Sequence, residues 1–147
     1  MSFCKIKLSE ESDLVTIRGI KGGKDGLGKV YNILKDNGFE PWVVCQQEVF
    51  RTGADLTFLI PTGRLCDLLT VVKQIKKTTP RLTTLIRTGV VKTELCNEEN
   101  FDLLTTLLSN KDFPKPELIC ASQDKIELIF ESHNIPTAVS VISQMDC

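Results

Sequence analysis

LVTIRGIKGGKDGLGKVY, residues 14–31, is the stretch that decides the fold. Val15, Ile17 and their apolar neighbours suit a half-buried strand that ends near Ile20. Gly19, Gly22, Gly23, Gly26 and Gly28 then break the pattern into a loop. Apolar residues return at Leu27, Val30, Tyr31 and Leu34, the spacing of one helix face. A strand, a glycine turn and a helix start in that order make an anion site. Glycine lets backbone approach a ligand, and the helix start offers unpaired N–H groups at the positive end of its dipole. A phosphate fits there, and so does the carboxylate of a free amino acid.

Working outward, residues 3–8 alternate and read as an edge strand, and residues 9–13 as a turn. The helix is expected over 27–37, with Gly38 as its stop. Residues 39–48 and 54–60 read as paired strands with a turn at 50–53, and Leu56, Phe58 and Ile60 share one face. Thr62 is the expected cap of a helix over 63–77, with a stripe of Leu65, Leu68, Leu69, Val72 and Ile75. The order then restarts. Residues 81–91 are strand-like, and 98–109 form a helix with Phe101, Leu104 and Leu108 on one face. Residues 117–122 and 125–131 are a hairpin, and 134–145 a last helix with Pro136 in its first turn.

Equivalent elements recur about 70 residues apart, Leu56 against Ile126 and Leu69 against Val139, too far for a solenoid repeat. The fold class is therefore α+β: two ferredoxin-like β-α-β-β-α units in tandem, residues 1–79 with the N-terminal edge strand and residues 80–147. Each unit lacks a last strand. Residues 3–8 supply one at most, so an open edge or pairing with a second chain is expected.

The composition is that of an ordinary globular chain, 41% hydrophobic and 25% charged with a formal charge of −1. That balance gives no basic field for nucleic acid. No apolar run approaches the roughly 20 residues of a membrane helix. The start has neither the basic residues nor the apolar core of a secretion signal, so a cytoplasmic protein is expected. Cys4, Cys45, Cys66, Cys96, Cys120 and Cys147 are scattered without a C-x-x-C pair, which points to reduced structural thiols and no metal site.

This order of elements resembles the tandem ACT regulatory region of aspartate kinases. The resemblance rests on LVTIRGI (14–20), GKVYNILKDNG (28–38), VVCQQ (43–47), TGADLTFLIP (52–61) and PELICASQDKIELIFES (116–132). It implies a non-catalytic domain that binds a free amino acid of the lysine or threonine class and regulates a kinase. In the family the loop after the first strand reads Asp, any residue, Pro, Gly. Here Gly22 stands at the Asp position and Asp25 at the Gly position. Gln46 matches a polar strand residue near the effector, whereas Glu40 and Trp42 stand where Asn and Asp are usual. After Gly89 the second unit reads VVKTELCNEE, again without Pro-Gly.

Together the residues and the resemblance give an expected ligand site of Gly22, Gly23, Asp25, Gly26, Leu27, Gly28 and Gln46. The backbone N–H groups of 22–28 would take a carboxylate, and Asp25 or Gln46 an ammonium group. The bland reading is a glycine turn needed only for chain reversal. Residues 23–30 also nearly match the phosphate loop G-x-x-x-x-G-K-[S/T], but Val30 has no hydroxyl for magnesium. His133, the only histidine, lies in a polar connector without a nucleophile motif and reads as a surface residue. Asp55 reads as a strand-end hydrogen-bond acceptor. The expectation is a regulatory amino-acid sensor without cofactor or catalytic residues. It would be a homodimer with a catalytic kinase subunit as a further partner. The alternative is a ligand-free module for oligomerisation or protein interaction.

Overall fold

The computed structural model describes residues 5–40, 44–49, 53–96 and 100–145. The chain divides into two compact units, Ser12–Thr88 and Gly89–Cys147 with the N-terminal Met1–Glu11. Residues 50–52 of the turn expected at 50–53, Trp42, and Asn97 and Glu98 at the expected start of the third helix lie outside the described residues. So do Phe3, Cys4 and Cys147.

In the first unit, β2 (Ser12–Ile20) leads to α1 (Gly23–Asp36), then β3 (Val44–Val49), β4 (Gly53–Pro61) and α2 (Leu65–Lys76). The unit ends in the first half of β5 (Thr83–Cys96). The strand order β3-β4-β2-β5 is that of a complete ferredoxin-like β-α-β-β-α-β sheet. β2 pairs antiparallel with β4, Val15 opposite Phe58 and Ile17 opposite Leu56, so one face of both strands is apolar. That face and the helices build a core of Val15, Ile17, Leu56, Phe58, Ile60, Leu27, Val30, Leu34, Leu68, Val72 and Ile75.

The second unit contains β1 (Lys5–Leu8), the second half of β5, α3 (Asn100–Ser109), β6 (Leu118–Ala121), β7 (Ile126–Glu131), a 3-10 turn (Ser132–Asn134) and α4 (Ile135–Ser143). β7 lies between β5 and β6. β1 pairs antiparallel with the end of β5, Lys5 opposite Cys96 and Leu8 opposite Thr93. Ser9 extends this pairing, its N–H donating to the Lys92 carbonyl and its hydroxyl accepting from the Lys92 N–H, both at 2.9 Å. Leu95, Ile126, Leu128 and Phe130 form the core with Leu103, Leu107, Ala138, Val141 and Ile142, and Phe113 packs edge-on to Phe130.

Both sheets therefore obtain a fourth strand from within the chain, against the expectation of missing strands. β5 runs five residues beyond the predicted end at 91, and β1 belongs with residues 89–147, not 1–79. Beyond its paired backbone, β1 contributes Ile6 to the second core.

Three helix readings also change. α1 starts at Gly23, four residues early. α2 starts at Leu65, two residues later than expected, with Arg64 at the cap position and no side-chain cap from it. α3 buries Asn100, Leu103 and Leu107, while Phe101 is 81% exposed and Leu108 48%. Asn100 is buried because its amide donates to the carbonyls of Ser122 and Gln123 at 3.3 and 2.8 Å, tying the helix start to the hairpin turn. Leu69 is likewise outward, at 39%, and Val71 takes its place inside.

Arg64 joins the two helices of the first unit. Its guanidinium lies 4.2 Å from the centre of the Phe39 ring and donates to the Gly38 carbonyl at 2.9 Å, closing the end of α1. The Arg64→Ala variant is expected to lose about 1 kcal/mol of stability in urea unfolding. In the second unit the Thr93 hydroxyl is fully buried without a hydrogen-bond partner. Thr93→Val keeps the shape and removes that desolvated group, so it is expected to raise stability by about 1 kcal/mol in the same assay.

Candidate functional site

The site begins where β2 ends. The Gly19 N–H donates to the Asp55 carboxylate at 3.3 Å, and Arg18 pairs with the same carboxylate at 3.6 Å, so Asp55 is a strand-end acceptor as expected. After Lys21 the chain turns on Gly22, at φ 94°, directly into the helix. Gly22 has no side chain to cap the first turn. The first backbone donor to bond back is the Gly26 N–H, to the Gly22 carbonyl at 3.1 Å. The N–H groups of the three preceding residues have no carbonyl within the helix to reach.

Gly26 is fixed by packing. A Cβ there would run into the Lys21 carbonyl oxygen, because the first turn of α1 folds tightly over the strand exit. Gly53, at φ 100°, faces the Ile20 carbonyl in the same way. Nothing lies within 4 Å of the place a Cβ would take on Gly28.

α1 and α2 flank a groove of about 680 Å³ beside this turn. Ile20, Val30, Ile33 and Ile75 give it apolar walls. Lys21, Asp25, Lys29, Asn32, Thr78 and Thr79 supply the polar groups, with Gly22 and Gly26 as backbone. The end of α2 is closed on the Ile75 carbonyl, which accepts from the Thr78 N–H and hydroxyl at 3.1 and 3.0 Å and from the Thr79 N–H at 3.1 Å. Lys21, Asp25 and Lys29 make no ion pair among the described residues. Two cations, a carboxylate and the uncapped turn of α1 therefore face a cleft with an apolar floor, the composition of a small-molecule site.

Of the residues expected from sequence, the fold brings Gly22, Asp25 and Gly26 to the groove. Leu27 points the other way into the core. Gly23 and Gly28 do not line the cleft. Gln46 sits opposite Leu56, on the helix-covered face of the sheet, and accepts a hydrogen bond from the Tyr31 hydroxyl at 3.3 Å. Partial burial lifts the Tyr31 phenol above its ordinary pKa, so it stays a donor. Gln46 is thus held at the sheet edge and does not line the groove.

The set expected from sequence omits Lys21, Lys29, Asn32, Thr78, Thr79 and the apolar Ile20, Val30, Ile33 and Ile75. The topology carries the signal: in a β-α-β-β-α unit the two helices run in opposite directions, so the start of the first and the end of the second meet at one end of the sheet. His133 is exposed, 3.4 Å from the Glu131 carboxylate, at the surface as expected. Among the described residues no group of three or more His, Cys, Asp or Glu is placed to hold a metal, and no helix is long and apolar enough to cross a membrane.

Two ferredoxin-like units follow one another along the chain, the first with a cleft at its strand-to-helix turn. No model of a protein family matches the sequence, and no curated protein matches it. Solved structures do match the fold. The regulatory subunit of aspartate kinase from Thermus thermophilus, ligand free, superposes with a TM-score of 0.78 at 13% identity, over 97% of this chain and 98% of that one. Aspartate kinase from Synechocystis gives 0.79 at 11% identity, over 97% of this chain and 27% of its own. Aspartokinase III of E. coli, in complex with lysine and aspartate in the T-state, gives 0.68 at 14% identity, over 93% of this chain and 31% of its own. The chain has the fold of the aspartate kinase regulatory subunits.

The packing at the turn separates two of its glycines. Gly26→Ala is expected to lower the unfolding midpoint by several degrees, since backbone must move to admit the Cβ. Gly28→Ala, in open space on the same helix, is expected to add about 0.5–1 kcal/mol. Thermal melts of the two variants beside the parent chain check both.

Proposed function

We propose that this chain is a regulatory protein whose effector is a free amino acid held in the groove between α1 and α2. The carrying observation is that both signs of charge, Lys21 and Lys29 against Asp25, line the groove beside the uncapped turn of α1. The effector carboxylate would bond the first N–H groups of α1, and its ammonium group the Asp25 carboxylate. Gln46, the other ammonium partner suggested by the sequence, is engaged by Tyr31, so Asp25 takes that role.

Regulation follows from linkage. An effector that binds one arrangement of the protein better shifts the population toward it, and only by its difference in affinity. The E. coli neighbour was captured with lysine and aspartate, which supports an amino-acid effector. The corresponding region is 27% of the Synechocystis kinase chain, which supports a catalytic kinase chain as the regulated partner. We assign a homodimer as the working assembly. A scaffold without ligand is the second reading. It is favoured by Gly22 and Gly26, whose backbone geometry needs glycine with or without an effector.

Thermal unfolding against the twenty amino acids, with ATP as an extra sample, tests the proposal. At 100 times its dissociation constant a ligand adds about 2.7 kcal/mol, which moves the midpoint by several degrees. A shift with one amino acid or a few is expected. A flat panel at millimolar concentration overturns the amino-acid reading and leaves the scaffold.

A further inference from the structure

The groove lies at the most unbalanced part of the chain's charge. Two segments of the sequence, 21–29 and 73–81, overlap its lining, and of their charged residues Lys21, Asp25 and Lys29 are on it. These carry seven cations, Lys21, Lys24, Lys29, Lys73, Lys76, Lys77 and Arg81, and one carboxylate, Asp25. The whole chain has a formal charge of −1, so this end of the first unit is strongly positive against a nearly neutral background. All seven cations are exposed. None of the seven is in an ion pair among the described residues. The Asp55 carboxylate lies at the β2 exit, where the Gly19 N–H donates to it. It is already neutralised by Arg18 at 3.6 Å.

A groove with this rim treats amino acids unequally. A cationic side chain would add its charge to an excess of like charge, and a neutral one would gain nothing from it. A second anionic group would gain from Lys21 and Lys29 on the lining. Asn32 and Thr79 also line the groove as neutral polar partners. Asp25 remains the only acceptor charge for the α-ammonium group. The apolar wall of Ile20, Val30, Ile33 and Ile75 suits a short aliphatic stem between the two ends.

Resting on the amino-acid reading above, we infer that the groove selects an amino acid with a second anionic group, carboxylate or phosphate, over lysine and threonine. Both sources share the chemistry of a net-negative zwitterion. Binding is electrostatically steered and weakens as salt screens the exposed lysines.

Isothermal titration of this chain with aspartate, glutamate, O-phosphoserine, threonine and lysine, at about 50 and 300 mM salt, tests it. The expected result is binding of at least one of the first three, about tenfold or more tighter than threonine or lysine, and weaker at the higher salt. Glutamate against phosphoserine tells the carboxylate from the phosphate. The Lys21→Gln/Lys29→Gln double variant is expected to lose about tenfold in affinity for the anionic ligand, with an unchanged unfolding midpoint in its absence. Tighter binding of lysine or threonine overturns the selectivity and leaves the amino-acid reading standing. Unchanged affinity in the double variant overturns the groove as the place of selection. No binding by any of the five, together with a flat twenty-amino-acid panel, overturns both.

Discussion

One strand carries the architecture. β5 has to end the sheet of the first unit and begin the sheet of the second within fourteen residues. A fourth strand against β2 completes the first ferredoxin-like order, and the continuing backbone gives β7 and β1 their partner. Sequence that would otherwise be a linker is thereby spent on pairing. The N-terminal segment supplies a fourth strand to the second unit, β1 pairing with β5 over four register pairs. On the face shared by β5 and β7, Glu94 stands directly opposite Glu127, a repulsive pair in isolation. Lys125 at 3.0 Å and Lys92 at 3.9 Å bind Glu127 and offset it. The hydrogen bond to Glu127 and the nearby Glu94 charge hold the Lys125 ammonium above its ordinary pKa.

A second constraint shapes the groove. The exit of β2 is crowded by two backbone approaches, Gly26 onto the Lys21 carbonyl and Gly53 onto the Ile20 carbonyl. Because Gly26 fits so closely, the helix begins while the chain is still passing through its glycines, and Leu27 is already a core residue. The wall on the other side is the end of α2, rounded off as Thr78 and Thr79 close on the Ile75 carbonyl. The cleft is thus a consequence of how two antiparallel helices end over one sheet, and the side chains on its rim give it chemical character.

Much of this was legible in the sequence, for reasons that differ by element. Leu56 and Phe58 alternate with Asp55 and Thr57, and a period of two marks a strand with one apolar face. Leu27, Val30 and Leu34 announce a helix in the same way. α3 is where the pattern misleads. Phe101, Leu104 and Leu108 make as good a stripe as Leu103 and Leu107, so periodicity alone offers two faces, and the amide of Asn100, bonded to the hairpin turn, goes with the second. For the site, Gly22, Asp25 and Gly26 were visible because strand, glycine and helix start are contiguous. Thr78 and Thr79 fall between the helix expected over 63–77 and the strand expected from 81, and their part in the groove arises only when two helices distant in sequence end side by side. Gln46 was carried by resemblance alone, and its face on β3 follows from a register that no local pattern states.

The same contrast bears on what a glycine-rich turn means in a fold kept at 13% identity. A glycine held by a backbone clash is required whether or not a ligand ever arrives, so Gly26 is evidence for the packing of α1 and carries little information about an effector. Lys21, Lys29 and Asp25 have the opposite status. They are exposed, take no part in the core and make no ion pair among the described residues, so the fold does not depend on their charges. Charge that a fold does not need is where ligand chemistry can be read, and at this turn it is concentrated on the lining of one cleft.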